Sequence, residues 1–174
     1  MSASKEILYV SWSEIHRALG MLASKVLLHG KPDVLVIIAK GGLVPGRILA
    51  DFINIEDIGF IEVKFYKSIG VRGEKPYMKS ASLPPLTDKN VLVVDDVVDS
   101  GRTMQLVVEY LSGYKVKSTR TLTIYVKPWS SYIPDYYYAQ TTKWIIFPWE
   151  VCEAMREGVA EKDMFRELSS YCEV

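Results

Sequence analysis

The sequence predicts an α/β fold in a single domain, a mostly parallel twisted sheet flanked by helices. Three observations carry this. Short β-favouring runs alternate with segments of helical period from Ser11 to Val126. The run Val91 to Val94 is apolar without interruption, the pattern of a strand covered on both faces. At 174 residues, 49% hydrophobic and 24% charged, the chain is long enough to bury one sizeable core.

The elements follow in order. Ser11 with Glu14 forms a capping box before a helix whose apolar positions Ile15, Ala18, Leu19, Leu22 and Val26 share a face, ending near Gly30 and Pro32. Val34 to Ala39 reads as a strand, and Pro45 to Ile53 as a helix. Phe60 to Tyr66 reads as a strand in which Ile61, Val63 and Phe65 alternate with Glu62 and Lys64. Between Tyr66 and Asn90 lie Gly70, Gly73, Pro76, Pro84 and Pro85 with Lys67, Arg72, Lys75 and Lys79, a segment that reads as a basic flap or a solvated hairpin. Strand Val91 to Val94, helix Thr103 to Leu111 and strand Thr119 to Val126 complete the alternation. Tyr136 to Tyr138 reads as an edge strand or subunit contact, and His16 and His29 as structural.

Chemistry concentrates in Val91 to Thr103, V-L-V-V-D-D-V-V-D-S-G-R-T, where a strand gives way to a helix. Ligands bind at that edge of an α/β sheet. Asp95 and Asp96 can accept hydrogen bonds from the vicinal hydroxyls of a ribose, directly or through a divalent cation with oxygen ligands. Ser100, Gly101, Arg102 and Thr103 offer backbone N–H groups at a helix start and two hydroxyls, a concave site for a terminal phosphate. Asp99, between the two, is placed to exchange a proton. A triphosphatase P-loop is excluded, since it needs Gly at Asp96 and Lys at Arg102. The alternative for D-S-G is a plain turn with Asp99 capping the helix.

Two further segments carry chemistry. In Ala39 to Gly46, A-K-G-G-L-V-P-G, two glycines admit close approach of an anion to the backbone and Lys40 supplies a cation; the alternative is a structural glycine turn. Lys127 ends a strand, where its ammonium can donate to a purine 6-oxo group. Trp144 offers a stacking face and Ile145 a backbone carbonyl, against the alternative that a Trp beside two isoleucines is core.

Val91 to Thr103 closely resembles the phosphoribosyl pyrophosphate (PRPP) signature of the type I phosphoribosyltransferases: four hydrophobic residues, two acidic, two hydrophobic, Asp, Thr or Ser, Gly, any residue, Thr or Ser. Ala39 to Gly46 resembles the pyrophosphate loop of bacterial xanthine-guanine phosphoribosyltransferases, and W-x-x-x-P-W-[DE] at Trp144, Pro148, Trp149 and Glu150 resembles their purine-binding segment.

The resemblance implies the type I fold with a small base-binding hood, and transfer of phosphoribosyl from PRPP to a 6-oxopurine. It implies Lys40, Gly41 and Gly42 for pyrophosphate, and Asp95 and Asp96 for ribose and Mg2+. Asp99 falls at the base's N7, Ser100 to Thr103 at the 5'-phosphate, Lys127, Trp144 and Ile145 at the base, and Glu150 at a second magnesium. It also places a non-proline cis peptide at Lys40–Gly41 and suggests a homodimer or homotetramer. Three departures stand out: Ser100 for the commoner Thr, an added cation at Arg102, and Phe65-Tyr66 where the flap often begins Ser-Tyr.

Residues 1–150 are assigned to the transferase domain and 151–174, which match nothing in the family pattern, to a helical extension of it. A formal charge of zero gives no nucleic-acid footprint, and no apolar run reaches membrane-spanning length. Without a signal-peptide layout, and with Cys152 and Cys172 lacking metal or redox spacing, the expected location is the reducing cytoplasm. Two rival readings are an adenine or pyrimidine transferase and a non-catalytic PRPP sensor acting on nucleic acid or a partner. The sensor would need a basic face, whereas the cations here are dispersed.

Overall fold

A computed structural model describes residues 6–67, 74–159, 168 and 170–172. The chain forms two compact units, one of His16–Thr141 and one of Met1–Ile15 with Thr142–Val174. The segment with Trp144 and Glu150 groups with Met1–Ile15.

The larger unit is built on a sheet of strands β2 (Val34–Ala39), β3 (Ile58–Lys67), β4 (Glu74–Ser82), β5 (Asn90–Val94), β6 (Val97–Val98), β7 (Ser118–Val126) and β8 (Tyr136–Gln140). Its order is β4-β3-β2-β5-β7-β6, with β8 also on β7. All pairs are parallel except β3 with β4. Burial explains the apolar runs: every residue of β2 but Ala39 is buried, as are Val91 to Val94. On one face of the sheet Val34, Val36, Ile38, Val91 and Val93 form one core with Met104, Val107 and Leu111 of helix α3 (Arg102–Ser112). The PRPP-like turn is thus anchored at both ends by buried apolar residues.

Helix α1 (Trp12–Leu28) begins as its capping residues require, with the Glu14 amide donating to Ser11 Oγ at 3.2 Å. Just beyond its C-terminus, Arg120 donates to the carbonyls of His29 (3.1 Å) and Gly30 (2.8 Å). His16 packs edge-on to Phe52 and His29 accompanies Tyr136, consistent with structural roles. Helix α2 (Leu43–Ile53) starts two residues before Pro45, which sits in its first turn, where a missing N–H costs nothing.

The segment after Tyr66 contains a regular antiparallel arm. β3 and β4 pair from Phe60 with Ser82 to Lys67 with Glu74, and residues 68–73 between them lie outside the described residues. Pro76 is accommodated because β4 is an edge strand. Tyr136 to Tyr138 do lie in an edge strand, β8.

In the smaller unit, β1 (Ile7–Tyr9) pairs in parallel with β9 (Trp144–Ile146), followed by helix α4 (Val151–Arg156). Ile146, Val151, Ala154, Met155 and Cys172 form its core. Trp149 stacks on Phe147 with ring centroids 4.7 Å apart. Cys152 and Cys172 are joined in a disulfide. A 20-residue separation carries no motif, and only the fold of the C-terminal segment brings the two sulfurs together.

Candidate active site

Parallel pairing sets the site. Ile37 lies beside Val94 and Val94 beside Leu122, so the chain leaves β2, β5 and β7 at the same sheet edge. The loops that follow carry Lys40 to Gly42, Asp95 to Thr103, and Lys127 respectively. This is the carboxyl edge at which such sheets bind ligands.

A cavity of about 300 Å3 opens there, lined by Phe65, Asp95, Val97, Val98, Asp99, Ser100, Gly101, Thr103 and Met104. Five residues assigned to ribose, phosphate and proton transfer therefore share one concavity. Gly101 adopts a positive φ of 87°, and a Cβ on it would meet the backbone nitrogen of Tyr132 at 2.7 Å. Only glycine fits that turn. Helix α3 has no side-chain cap at Gly101, and the Asp99 carboxylate instead accepts a hydrogen bond from the Trp129 indole at 2.8 Å. The capping alternative for Asp99 is thereby displaced. Arg102 is exposed at the start of the helix.

The adjacent aspartates differ. Asp95 is half-buried and lines the cavity, its Oδ1 accepting from the Asp96 amide at 3.0 Å. Asp96 is buried at 6% exposure, and its Oδ1 accepts from the Val97 amide at 2.7 Å. Its carboxylate lies against Gly41, so close that a Cβ on that glycine would overlap it. Asp96 thus joins the glycine loop to the acidic turn. A Cβ on Gly42 would meet the carbonyl oxygens of Val94 at 2.5 Å and Ile38 at 2.7 Å. A cis peptide does occur in this loop, at Ala39–Lys40, one bond earlier than the expected Lys40–Gly41.

The residues assigned to the base divide between the two units. Lys127, in the larger, is 7% exposed, and its amide donates to the Val98 carbonyl at 2.9 Å. In the smaller, Trp144 is 40% exposed rather than core, and with Ile145, Ile146, Glu150, Glu153, Ala154 and Glu157 it lines a second cavity of about 260 Å3. Sequence reasoning missed Trp129, because a lone exposed Trp after a proline belongs to no periodic face.

The sequence matches the phosphoribosyl transferase domain family over residues 11–156. The chain belongs to that family. It is 32% identical over 145 residues to a xanthine-guanine phosphoribosyltransferase of Idiomarina loihiensis, covering 82% of this chain and 86% of that one. A second such enzyme, from Ruegeria sp., is 32% identical over 154 residues, covering 82% and 85%. The crystal structure of a purine phosphoribosyltransferase from Pyrococcus horikoshii is 40% identical and superposes with a TM-score of 0.75, over 83% of this chain and 93% of that one. The phosphoribosyltransferase fold expected from the signature is the one observed.

The carboxylates of Asp95 and Asp96, the residues expected to address magnesium, are oxygen donors of the kind magnesium takes. Among the described residues no group of three or more His, Cys, Asp or Glu side chains forms a metal cage. Magnesium is commonly held by one or two carboxylates plus substrate phosphates, and the donor set here fits that mode.

Proposed function

We propose that this phosphoribosyltransferase converts PRPP and a 6-oxopurine, whether guanine, hypoxanthine or xanthine, to the nucleoside monophosphate and pyrophosphate, a purine-salvage reaction. The observation that carries it is the cavity in which Asp95, Asp99, Ser100, Gly101 and Thr103 converge at the carboxyl edge of the sheet. In this reading the amides and hydroxyls of Ser100 to Thr103 hold the 5'-phosphate, and Asp95 with Asp96 addresses the ribose. Lys40, Gly41 and Gly42 cradle the pyrophosphate. Lys127, Trp144 and Ile145 take the base by donation to its 6-oxo group, stacking, and acceptance at a backbone carbonyl.

The chemistry requires no covalent nucleophile. The bond from purine N9 to C1' forms as the bond from C1' to the pyrophosphate oxygen breaks, and Asp99 accepts the proton relayed through N7. Alignment and charge stabilisation supply the rate. Magnesium, held through Asp95 and Asp96, would neutralise the departing pyrophosphate, and Glu150 would help hold a second magnesium. An ammonium at Lys127 has no acceptor for adenine's 6-amino group, so adenine would leave a buried mismatch. Homodimeric or homotetrameric assembly and a cytoplasmic location belong to the proposal. A disulfide is unusual in the cytoplasm outside hyperthermophiles, so the thiol state of Cys152 and Cys172 in fresh extract tests the location.

Pyrophosphate release from PRPP, measured with magnesium and each nucleobase in turn, tests the function. Turnover with guanine, hypoxanthine or xanthine and none with adenine is expected; turnover with adenine or a pyrimidine alone would overturn the assignment.

A further inference from the structure

The loop after β7 is hydrogen-bonded to the phosphate turn through Trp129 and Ser131. The Ser130 amide donates to the Lys127 carbonyl at 3.0 Å, closing a tight turn. The amide and hydroxyl of Ser131 donate to the Ser100 carbonyl at 3.2 and 2.8 Å. Asp135 accepts from the amide and hydroxyl of Thr121 at 2.7 and 2.8 Å, securing the far end. At the tip, Trp129 donates its indole N–H to Asp99 Oδ1 at 2.8 Å, and the Lys127 ammonium lies 5.6 Å from the centroid of the indole ring.

The indole is 58% exposed, so burial alone does not account for its placement. What the placement provides is a directed contact on each of two charged side chains. Asp99 is exposed and would otherwise rotate among conformers. Indole is a donor without an acceptor, so it occupies one carboxylate oxygen without competing for the proton that the carboxylate is to receive. The ring face, meanwhile, attracts the ammonium.

We propose that Trp129 is a positioning residue: its N–H fixes Asp99 with the second carboxylate oxygen presented to the ligand, and its ring steadies the Lys127 ammonium. This deepens the purine-transfer reading and rests on it. A donor held against a carboxylate contributes more than one between neutral groups, and its loss costs turnover rather than fold at an exposed site.

Trp129→Phe keeps a ring beside Lys127 and removes only the donor. It should lower kcat roughly tenfold with the KM for PRPP unchanged, and should cause no further loss in an Asp99→Asn background. A second readout needs no substrate. The Trp129 indole N–H resonance, identified by its loss in Trp129→Phe, should shift in Asp99→Asn, where an amide oxygen replaces the charged acceptor. A fully active Trp129→Phe enzyme, or an indole resonance indifferent to Asp99→Asn, overturns the positioning role. An unimpaired Asp99→Asn enzyme in which the indole resonance has shifted overturns the proton-transfer reading instead, and with it any catalytic purpose for the contact.

Discussion

Gly41 and Gly42 are chemically identical neighbours that face different obstacles, and their substitutions should fail differently. A methyl group on Gly42 meets two backbone carbonyls, of Val94 and Ile38, in adjacent buried strands that have nowhere to go. Gly42→Ala should therefore cost about 1–3 kcal/mol of stability, the usual range for overpacking, read as a lower midpoint in urea. The methyl of Gly41→Ala meets a side chain, the Asp96 carboxylate, which can turn aside. Its expected signature is a nearly unchanged midpoint with turnover down by up to about 100-fold, because the acidic turn is displaced from its working geometry. Asp99→Asn probes the chemistry more directly. Removing the proton acceptor should lower turnover by roughly two to four orders of magnitude while PRPP binding, measured by calorimetry, stays largely intact.

At the scale of elements, the sheet register has an identifiable lock. Asp33, just before β2, accepts from the backbone amide of Asn90 at 2.7 Å and from its side chain at 2.9 Å, and Asn90 Oδ1 accepts from Ser118 Oγ at 2.8 Å. One polar chain thus aligns the starts of β2, β5 and β7. The backbone hydrogen bond from Asn90, then its side-chain donor and the charges of Lys89 and Lys117, outweigh desolvation and hold the Asp33 carboxyl below its ordinary range. A depressed folded-state value means stability that is present above the unfolded value, near pH 4, and lost as pH falls through the folded one. Asp33→Ala should lower the thermal midpoint at neutral pH by the equivalent of no more than about 1 kcal/mol, since the carboxylate is exposed and screened. The gap to wild type should close below roughly pH 4; a gap that persists unchanged to pH 2 would remove the carboxylate from the account. Of the strands in this lock, β2 and β5 were legible from their continuous apolar runs and β7 from its β-favouring residues between periodic helical and turn segments. β6, two residues within the PRPP-like segment, and β1, three residues at the N-terminus, were not, because such short strands are defined by their distant partners, β7 and β9. β4 was obscured by Pro76, a residue that argues for a strand only once the edge position is known.

For the molecule as a whole, legibility divides as the two compact units do. In the larger unit the signature V-L-V-V-D-D-V-V-D-S-G-R-T encodes both the core contacts and the cavity, so reading one supplies the other. The smaller unit is assembled from the two ends of the chain. Its pairing of Ile7 with Trp144 and its disulfide have no local signal, although the W-x-x-x-P-W-[DE] pattern marked its residues. Among the described residues its core is Ile146, Val151, Ala154, Met155 and Cys172 with a few partly buried neighbours, and a core of that size supplies little stability by itself. A staple has most effect in such a unit. Closing a loop of 20 residues' separation should stabilise it by about 3 kcal/mol through the entropy of the unfolded chain. Three of the four tryptophans, Trp12, Trp144 and Trp149, belong to this unit and one, Trp129, to the larger, so intrinsic fluorescence reports chiefly on the smaller. Cys172→Ser should shift the fluorescence-detected urea transition to lower denaturant, leave the circular-dichroism transition of the larger unit near its original position, and reproduce the behaviour of wild type in strong reductant. Coincident fluorescence and circular-dichroism transitions in the variant would mean that the two units unfold as one cooperative body, and that the disulfide stabilises the whole chain rather than the unit it closes.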